Sequence, residues 1–468
     1  MPMMTVYLLI AVLIAGLMAL ARSHAQVRAL GYVFYGLQLL FALSIWMFVR
    51  GSEQLQFFTF DALGMLFFGL LSVISLVAFY QSNVYLAEDS LHPFQTYHIS
   101  LLLLCASATA VYFSNNLAVT WVFLEATTLA TAGLIYHGRS ASSLEATWKY
   151  VFICSTGILL AYLGVLLLST VTIHGDLSYA ALADVIATGN PLYLKIAFVF
   201  ILVGYSCKLE VFPLYTVGID ANYAAPTPAS AVVSTVLVNA GFVSLLRVYR
   251  LFAQTPVYGW VSGVLLLCGV ISVLVGAVYL RRTNHYKRFF AYSTTENLGI
   301  VLIGLGLGGV AVFAAVFHVM AHSLVKSGIF FNVAQIGRIY GSYRINRIGN
   351  YICVNRLGAV SMLLGTVSLL ALPPSALFIS ELMIFKQVIA SGRWWLFGVM
   401  VVLLCFVMYS LAYRLLRLLY KPVALPEGEH AVNRLVTWSG FVLILLAVVL
   451  GIMQPDPLVN FIESIIAW

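Results

Sequence analysis

Charge is scarce in this 468-residue chain: 9% of residues are Asp, Glu, Lys or Arg, against 62% hydrophobic, and the mean hydropathy is +1.01. So few polar side chains cannot cover a water-soluble surface, which excludes a soluble globular enzyme. Cysteine is equally sparse. The six, Cys105, Cys154, Cys207, Cys268, Cys353 and Cys405, lie far apart in apolar surroundings and form no C-x-x-C pair. They are expected as core fillers, and no iron–sulfur, haem or zinc ligand set can be assembled from sequence neighbours. No such metal centre is therefore expected, and any electron transfer belongs to another polypeptide. A basic stripe is missing too: the formal charge of +8 is scattered over many short loops, which argues against nucleic acid as a partner. No basic region precedes the first apolar stretch, Tyr7 to Ala21, so that stretch is expected to be a span and not a cleavable signal.

What is present is a succession of apolar runs from Met4 to Met453, each near the ~20 residues that a helix needs to cross ~30 Å of hydrocarbon. Short alternating segments of a barrel are lacking, so the fold class is an all-α polytopic membrane protein in a lipid bilayer. Apolar length and Gly, Pro and charge punctuation predict about fourteen transmembrane helices, at roughly 4–21, 29–50, 61–80, 97–113, 117–137, 147–171, 193–216, 227–249, 258–280, 289–306, 309–338, 357–389, 395–420 and 436–453. Basic residues concentrate in the odd-numbered loops, with Arg247 and Arg250 as exceptions, which predicts both termini on the non-cytoplasmic side of the inner membrane. Two prolyl breaks interrupt apolar runs, Pro213 in the seventh helix and Pro373-Pro374 in the twelfth. Interrupted helices at matching places in two halves point to inverted repeats with a midplane ion site. The expected repeats run about 97–249 and 258–420 within one transmembrane domain.

A charge at mid-bilayer costs at least ~2.5–3.5 kcal/mol, so charges retained in runs this apolar are candidates for function. Glu125 lies inside the fifth run, where it is either a relay carboxylate or one half of an interhelical ion pair. Lys208 precedes Pro213, whose missing N–H leaves the Leu209 carbonyl without its helical partner; a lysine beside free carbonyls can shed and regain a proton, or merely cap the break. Glu210 is offset by two residues and points to another face, as a counter-ion or toward water. His318, His322 and Lys326 stand at i, i+4 and i+8 on one helix face, a spacing suited to proton hand-off, with His318 open to a purely structural role. A metal bound by His318 and His322 would lack a third ligand nearby. Glu381 falls about two turns after Pro374. Asp61, Lys149 and Glu296 sit nearer helix ends, where a salt bridge competes with a relay role. Asn239, Asn297 and Tyr292 either hold water between the charges or join helices.

At these residues the chain resembles the antiporter-like, proton-translocating subunits shared by respiratory complex I, multisubunit sodium/proton antiporters and membrane-bound nickel-iron hydrogenases. The resemblance is carried, in order, by Trp121 to Glu125, Lys208 to Ser230 (KLEVFPLYTVGIDANYAAPTPAS), Lys287 to Gly299 (KRFFAYSTTENLG), Ala321 to Gly328 (AHSLVKSG) and Pro373 to Glu381 (PPSALFISE). The run Glu145 to Leu160 (EATWKYVFICSTGILL), with Glu296 in AYSTTEN, is most similar to the F-type component of hydrogenase-4 and formate hydrogenlyase assemblies.

The resemblance implies a fourteen-helix core with two inverted five-helix repeats and no cofactor. It implies a proton relay of Glu125 and Lys208 as an interacting pair, His322 and Lys326 at the centre, and Glu381 as the terminal site. It also implies partners: other integral membrane subunits and a peripheral redox or transport module. The chain departs from the pattern where Asn239 and Asn297 replace ionisable residues, and where WLPDAH reads Val217 to Asn222. No long lateral helix is expected after the fourteenth. The leading expectation is a proton-translocating subunit of an energy-converting oxidoreductase. The alternatives are a component of a cation/proton antiporter or inorganic-carbon uptake complex, and a non-conducting scaffold.

Overall fold

The computed structural model describes residues 3–49, 53–55, 57–172, 175–423 and 432–466. The chain forms two compact units, one running through Gly263 and one from Val264. The first unit contains α1 (Met3–Leu20), α2 (His24–Ser44), α3 (Ala62–Tyr85), α4 (Leu91–Phe113), α5 (Leu117–Ile135), α6 (Ala141–Ser169), α7 (Tyr179–Val185), α8 (Pro191–Leu209), α9 (Thr216–Ala224), α10 (Thr227–Val232) and α11 (Val238–Ala253). The boundary falls within α12 (Tyr258–Arg282). The second unit continues with α13 (Tyr286–Leu307), α14 (Val310–Tyr340), α15 (Tyr351–Val354), α16 (Arg356–Leu369), α17 (Ala376–Ala390), α18 (Trp394–Tyr420), α19 (Arg434–Ile452) and α20 (Asp456–Ile466). A small antiparallel pair, Glu53–Leu55 with Phe58–Thr59, precedes α3.

Twelve helices among the described residues are long and apolar enough to cross a membrane, two fewer than the fourteen predicted. The difference has two local causes. The run predicted at 357–389 is divided into α16 and α17, each too short to span alone. α13 has the length, but the polar stretch Ser293 to Asn297 dilutes its hydropathy. Four short helices, α7, α9, α15 and α20, escape a reading based on apolar length because none holds a long apolar run. Four of the cysteines are buried as expected, whereas Cys353 and Cys405 are exposed.

Side chains that satisfy orphan backbone N–H groups set the helix starts. Asp61 caps α3 by accepting from Gly64 N at 2.8 Å, Asn116 caps α5, Ser140 and Ser143 form a reciprocal capping box at α6, and Asn190 caps α8 just before Pro191. Both prolyl breaks stop a helix. α8 ends where Glu210 takes a left-handed conformation (φ 55°), three residues before Pro213, so the predicted run 193–216 closes at Leu209, and a separate short helix, α9, begins only at Thr216. α16 ends before Ala371, also left-handed (φ 46°), and Pro373-Pro374; α17 resumes after its cap, Ser375. The Phe212–Pro213 and Pro373–Pro374 bonds are cis.

Small residues then let helices approach closely. α6 and α8 meet along Gly157, Ala161 and Gly164 on one side and Ala197, Ile201 and Gly204 on the other. A Cβ placed on Gly204 would lie 2.4 Å from the Gly157 carbonyl and 2.6 Å from the Ala161 Cβ. Without a hydrophobic drive between helices in lipid, packing of this kind supplies their association. In the second unit α14 packs against α19 in the same manner, with Gly328 against the carbonyl of Gly440. Its core gathers Ile300 and Ile303 of α13, Ala311 and Ala314 of α14, and Ile384 and Val388 of α17.

The Gly204 contact carries Lys208, one turn further along α8. Gly204→Val is expected to force α6 and α8 apart at a cost of about 1–3 kcal/mol or more, seen as a lower thermal unfolding midpoint of the detergent-purified chain, while Gly16→Val at a position with open space leaves the midpoint unchanged.

Candidate functional site

In the first unit the retained charges converge on α5, α6 and α8. Lys208 occupies the last turn of α8 with no exposed surface. Its ammonium donates to the Thr128 hydroxyl at 2.7 Å. Thr128 stands three residues after Glu125 on α5, hence on the same face, and its hydroxyl lies 3.3 Å from Glu125 Oε2. Ser155 of α6 donates to the other carboxylate oxygen at 2.5 Å. Glu125 and Lys208 therefore belong to one hydrogen-bonded chain, although no direct ion pair joins them among the described residues. The Tyr150 ring, 5.5 Å from the Lys208 ammonium, closes one side. A hydroxyl both donates and accepts, so Thr128 can take a proton from the ammonium as it gives its own to the carboxylate.

Ionisable residues alone do not reveal Thr128 or Ser155. Thr128 has a legible signal in its i+3 spacing from Glu125. Ser155 has none, because its partner lies on another helix.

The other candidates of this unit lie elsewhere. Glu210 is buried and separately held: Asn222 donates to it at 3.0 Å, and Ser234 donates to Asn222 at 3.0 Å. Gly218 makes room for this carboxylate, since a Cβ there would meet its Cγ at 2.3 Å. Asn222, at the last position of the altered WLPDAH stretch, is thus a residue that binds Glu210. Asn239 is buried on α11. Lys149 is half exposed and pairs with Glu145 at 2.5 Å on the surface of α6. Asp61 forms an ion pair with Arg247 at 3.0 Å.

In the second unit the organising element is α13. Lys326 of α14, fully buried, donates to the Phe290 carbonyl and to the Ser293 hydroxyl, both on α13. One turn on, Asn297 donates to the Ser293 carbonyl at 2.8 Å and to Glu296 at 2.6 Å, and its side-chain oxygen lies 3.2 Å from His318 Nε2. His318 Nδ1 is 2.9 Å from the hydroxyl of Ser380, the residue before Glu381. Glu296 and Glu381 line one cavity of about 220 Å³ beside the break at Leu369 to Leu372, together with Cys405 and Met408 of α18. Gly276 of α12 admits Glu296 there, since a Cβ would come within 2.5 Å of the Glu296 Cβ. His322 is fully buried, and neither ring nitrogen has a hydrogen-bond partner among the described residues. A buried imidazole of this kind calls for water or a ligand.

Glu296, a secondary candidate from sequence, and Asn297 thus stand between Lys326, His318 and Glu381. Ser293 and Ser380 join them only in the folded chain. The polar stretch Ser293 to Asn297 within α13 is the signal that marks Ser293, Glu296 and Asn297 in the sequence.

Residues 114–407 match the transmembrane family of NADH:quinone oxidoreductase and Mrp antiporters, and that span contains every residue of both hydrogen-bonded groups. The chain is 31% identical over 363 residues to the hydrogenase-4 component F homolog of Methylacidiphilum infernorum, covering 75% of this chain and 76% of that protein. It is 27% identical to a component of the probable K(+)/H(+) antiporter of Rhizobium meliloti over 71% of this chain, and spans only 33% of that longer protein. Three solved structures share the fold: the archaeal membrane-bound sulfane sulfur reductase (TM-score 0.87, 21% identity, 99% of this chain and 96% of that one), the Mrp complex from Dietzia sp. DQ12-45-1b (0.85, 18%, 98% and 96%) and respiratory complex I from Thermus thermophilus (0.81, 21%, 97% and 98%). A predominantly helical, multi-pass chain whose family match spans both groups of retained charges is a membrane subunit of the NADH:quinone oxidoreductase and Mrp antiporter family.

Proposed function

We propose that this chain is the proton-translocating membrane subunit of an energy-converting oxidoreductase complex, moving protons through Glu125, Lys208, His322, Lys326 and Glu381. The observation that carries the reading is the Lys208–Thr128–Glu125 chain: a buried ammonium and a carboxylate joined by a hydroxyl able to relay a proton in either direction. Taking one charge out of such a pair leaves the other uncompensated in a low-dielectric site, so a change of field imposed by a neighbouring polypeptide shifts the proton between them. In the second unit Ser293, Asn297, His318 and Ser380 extend the path from Lys326 toward Glu381, and Glu296 joins it as a second carboxylate on the terminal cavity. His322, with neither nitrogen partnered among the described residues, receives and passes its proton through water. Asn239 takes no net charge, so transfer along α11 likewise runs through water.

The likeness to the hydrogenase-4 component F homolog favours a hydrogenase-type assembly, with other integral membrane subunits and a peripheral redox module as partners. A cation/proton antiporter or inorganic-carbon uptake complex is the second reading, favoured by the likeness to the K(+)/H(+) antiporter component. The paired breaks at Glu210 to Tyr215 and Leu370 to Ser375 support two repeats over 97–249 and 258–420, and the basic loops support an inner-membrane location with both termini away from the cytoplasm.

In vesicles carrying the assembled complex, Lys208→Ala and Glu125→Ala are expected to reduce proton uptake to background without preventing assembly; full uptake in both leaves only the scaffold reading. Thr128→Val, which keeps the shape and removes the hydroxyl, is expected to slow uptake about 10- to 100-fold, the equivalent of one charge-assisted hydrogen bond, while Thr128→Ser keeps most of it. Asn297→Leu leaves Glu296 and His318 without their shared partner and is expected to cost about 1–3 kcal/mol of stability, read as a lowered unfolding midpoint in detergent.

A further inference from the structure

Arg247 and Arg250 break the charge pattern of the loops, and the structure separates their roles. Arg247 is buried and fully committed. Its guanidinium spans both oxygens of Asp61 at 3.0 Å and donates to the carbonyls of Val111, Tyr112 and Ser114, the open end of α4. It therefore neutralises Asp61 and caps the last carbonyls of α4, of which that of Val111 also accepts from Ser114 N at 3.3 Å. Arg250, one turn further along α11, lines a cavity of about 320 Å³ together with that pair.

Among the described residues the walls of this cavity carry two guanidinium groups and one carboxylate, and the carboxylate is engaged by Arg247 and by Gly64 N. The lining is therefore net positive. Asp184 on α7 and Asp176, which accepts from Ser178 N at 2.8 Å, are exposed and do not line the cavity, and Glu53 stands opposite Thr59 in the short antiparallel pair. Hydrogen-bond donors complete the wall: the amides of Asn115 and Gln254, and the buried hydroxyl of Thr59, which has no partner among the described residues, while the lining Tyr179 has its hydroxyl 3.1 Å from that of Thr120. The position is equally specific. The lining residues belong to the segment before α3, the turn between α4 and α5, the start of α7 and the end of α11, where spans terminate. α3 alone, with 24 residues, rises about 36 Å, which puts its ends at headgroup level above a hydrocarbon core of about 30 Å.

We propose that this cavity binds a phosphate oxyanion, and that the phosphate is the headgroup of an anionic phospholipid held by Arg250 with Thr59, Asn115 and Gln254. A guanidinium matches two phosphate oxygens at once, the amides and hydroxyl supply further donors, and the net charge selects an anionic headgroup over a zwitterionic one. The site is separate from the Lys208–Thr128–Glu125 chain and does not depend on proton transfer.

The test uses the full chain, purified in a neutral detergent without phosphate and titrated with phosphatidylglycerol, phosphatidylcholine or inorganic phosphate, with bound lipid counted by native mass spectrometry. One phosphatidylglycerol is expected per chain, with phosphatidylcholine binding much more weakly. Arg250→Gln is expected to weaken phosphatidylglycerol about tenfold, the equivalent of one charge-assisted bond. Ala183→Phe, which fills the cavity without changing charge, is expected to do the same, in variants whose lipid-free unfolding midpoint is that of the parent. Displacement of phosphatidylglycerol by inorganic phosphate supports recognition through the phosphate. Phosphate binding without any lipid binding overturns the lipid source, and equal retention of phosphatidylglycerol by the parent and both variants overturns the site.

Discussion

An ion buried in a medium as apolar as this one must be met by polar groups of the protein itself, and that constraint organises the molecule around the chain from Lys208 through Thr128 to Glu125. The ammonium has no exposed surface, and its partner is a hydroxyl rather than a carboxylate. The distinction matters chemically. A direct ion pair in a low dielectric is a deep well that holds its proton, whereas a bridging hydroxyl keeps both charges solvated and leaves a route by which they can neutralise each other. The same economy governs the second unit, where the Lys326 ammonium is met by a carbonyl and a hydroxyl of α13, and Glu296 by the amide of its own neighbour.

The architecture can be read as the means of delivering these partners. Breaking α8 at Glu210 ends the helix just after Lys208, and Gly157, Ala161, Gly164 and Gly204 remove the bulk that would hold α6 away from it. The interrupted run 356–390 does the equivalent for Glu381, which sits on the resumed helix α17 beside the exposed backbone of the break. Left-handed, non-glycine residues at Glu210 and Ala371 occur at these two interruptions, an arrangement that persists only where surrounding packing over-determines it.

Membership of the NADH:quinone oxidoreductase and Mrp antiporter family and this distribution of hydroxyls, amides and charges fit together. The family match covers residues 114–407, and the hydrogen-bonded groups of both units fall inside it. Outside it stands Asp61, paired with Arg247 from within. That pair ties the start of α3 to the ends of α4 and α11, and so brings a region beyond the family match into the first unit's frame.

The membrane class, the helical fold, most spans and the prolyl breaks are legible in the sequence, because apolar length, proline and the cost of intramembrane charge are local properties that need no knowledge of what packs where. Glu125, Lys208, His322, Lys326 and Glu381 stand out for the same reason: each is an ionisable group in a run that otherwise has few. What local properties cannot say is which groups meet. The roles of Thr128, Ser155, Ser293 and Ser380 depend on side chains brought together from different helices, and hydroxyls are too common in transmembrane helices to stand out singly. Lys149 and Glu296 look alike from sequence, both near helix ends. Tertiary packing separates them, leaving Lys149 on the surface with Glu145 and turning Glu296 inward across Gly276 onto the cavity of Glu381. Composition thus determined that charges had to be buried among apolar helices, and only the fold decided which hydroxyl, amide or carbonyl would receive each one, because hydrogen bonding acts over about 3 Å between residues far apart in the chain.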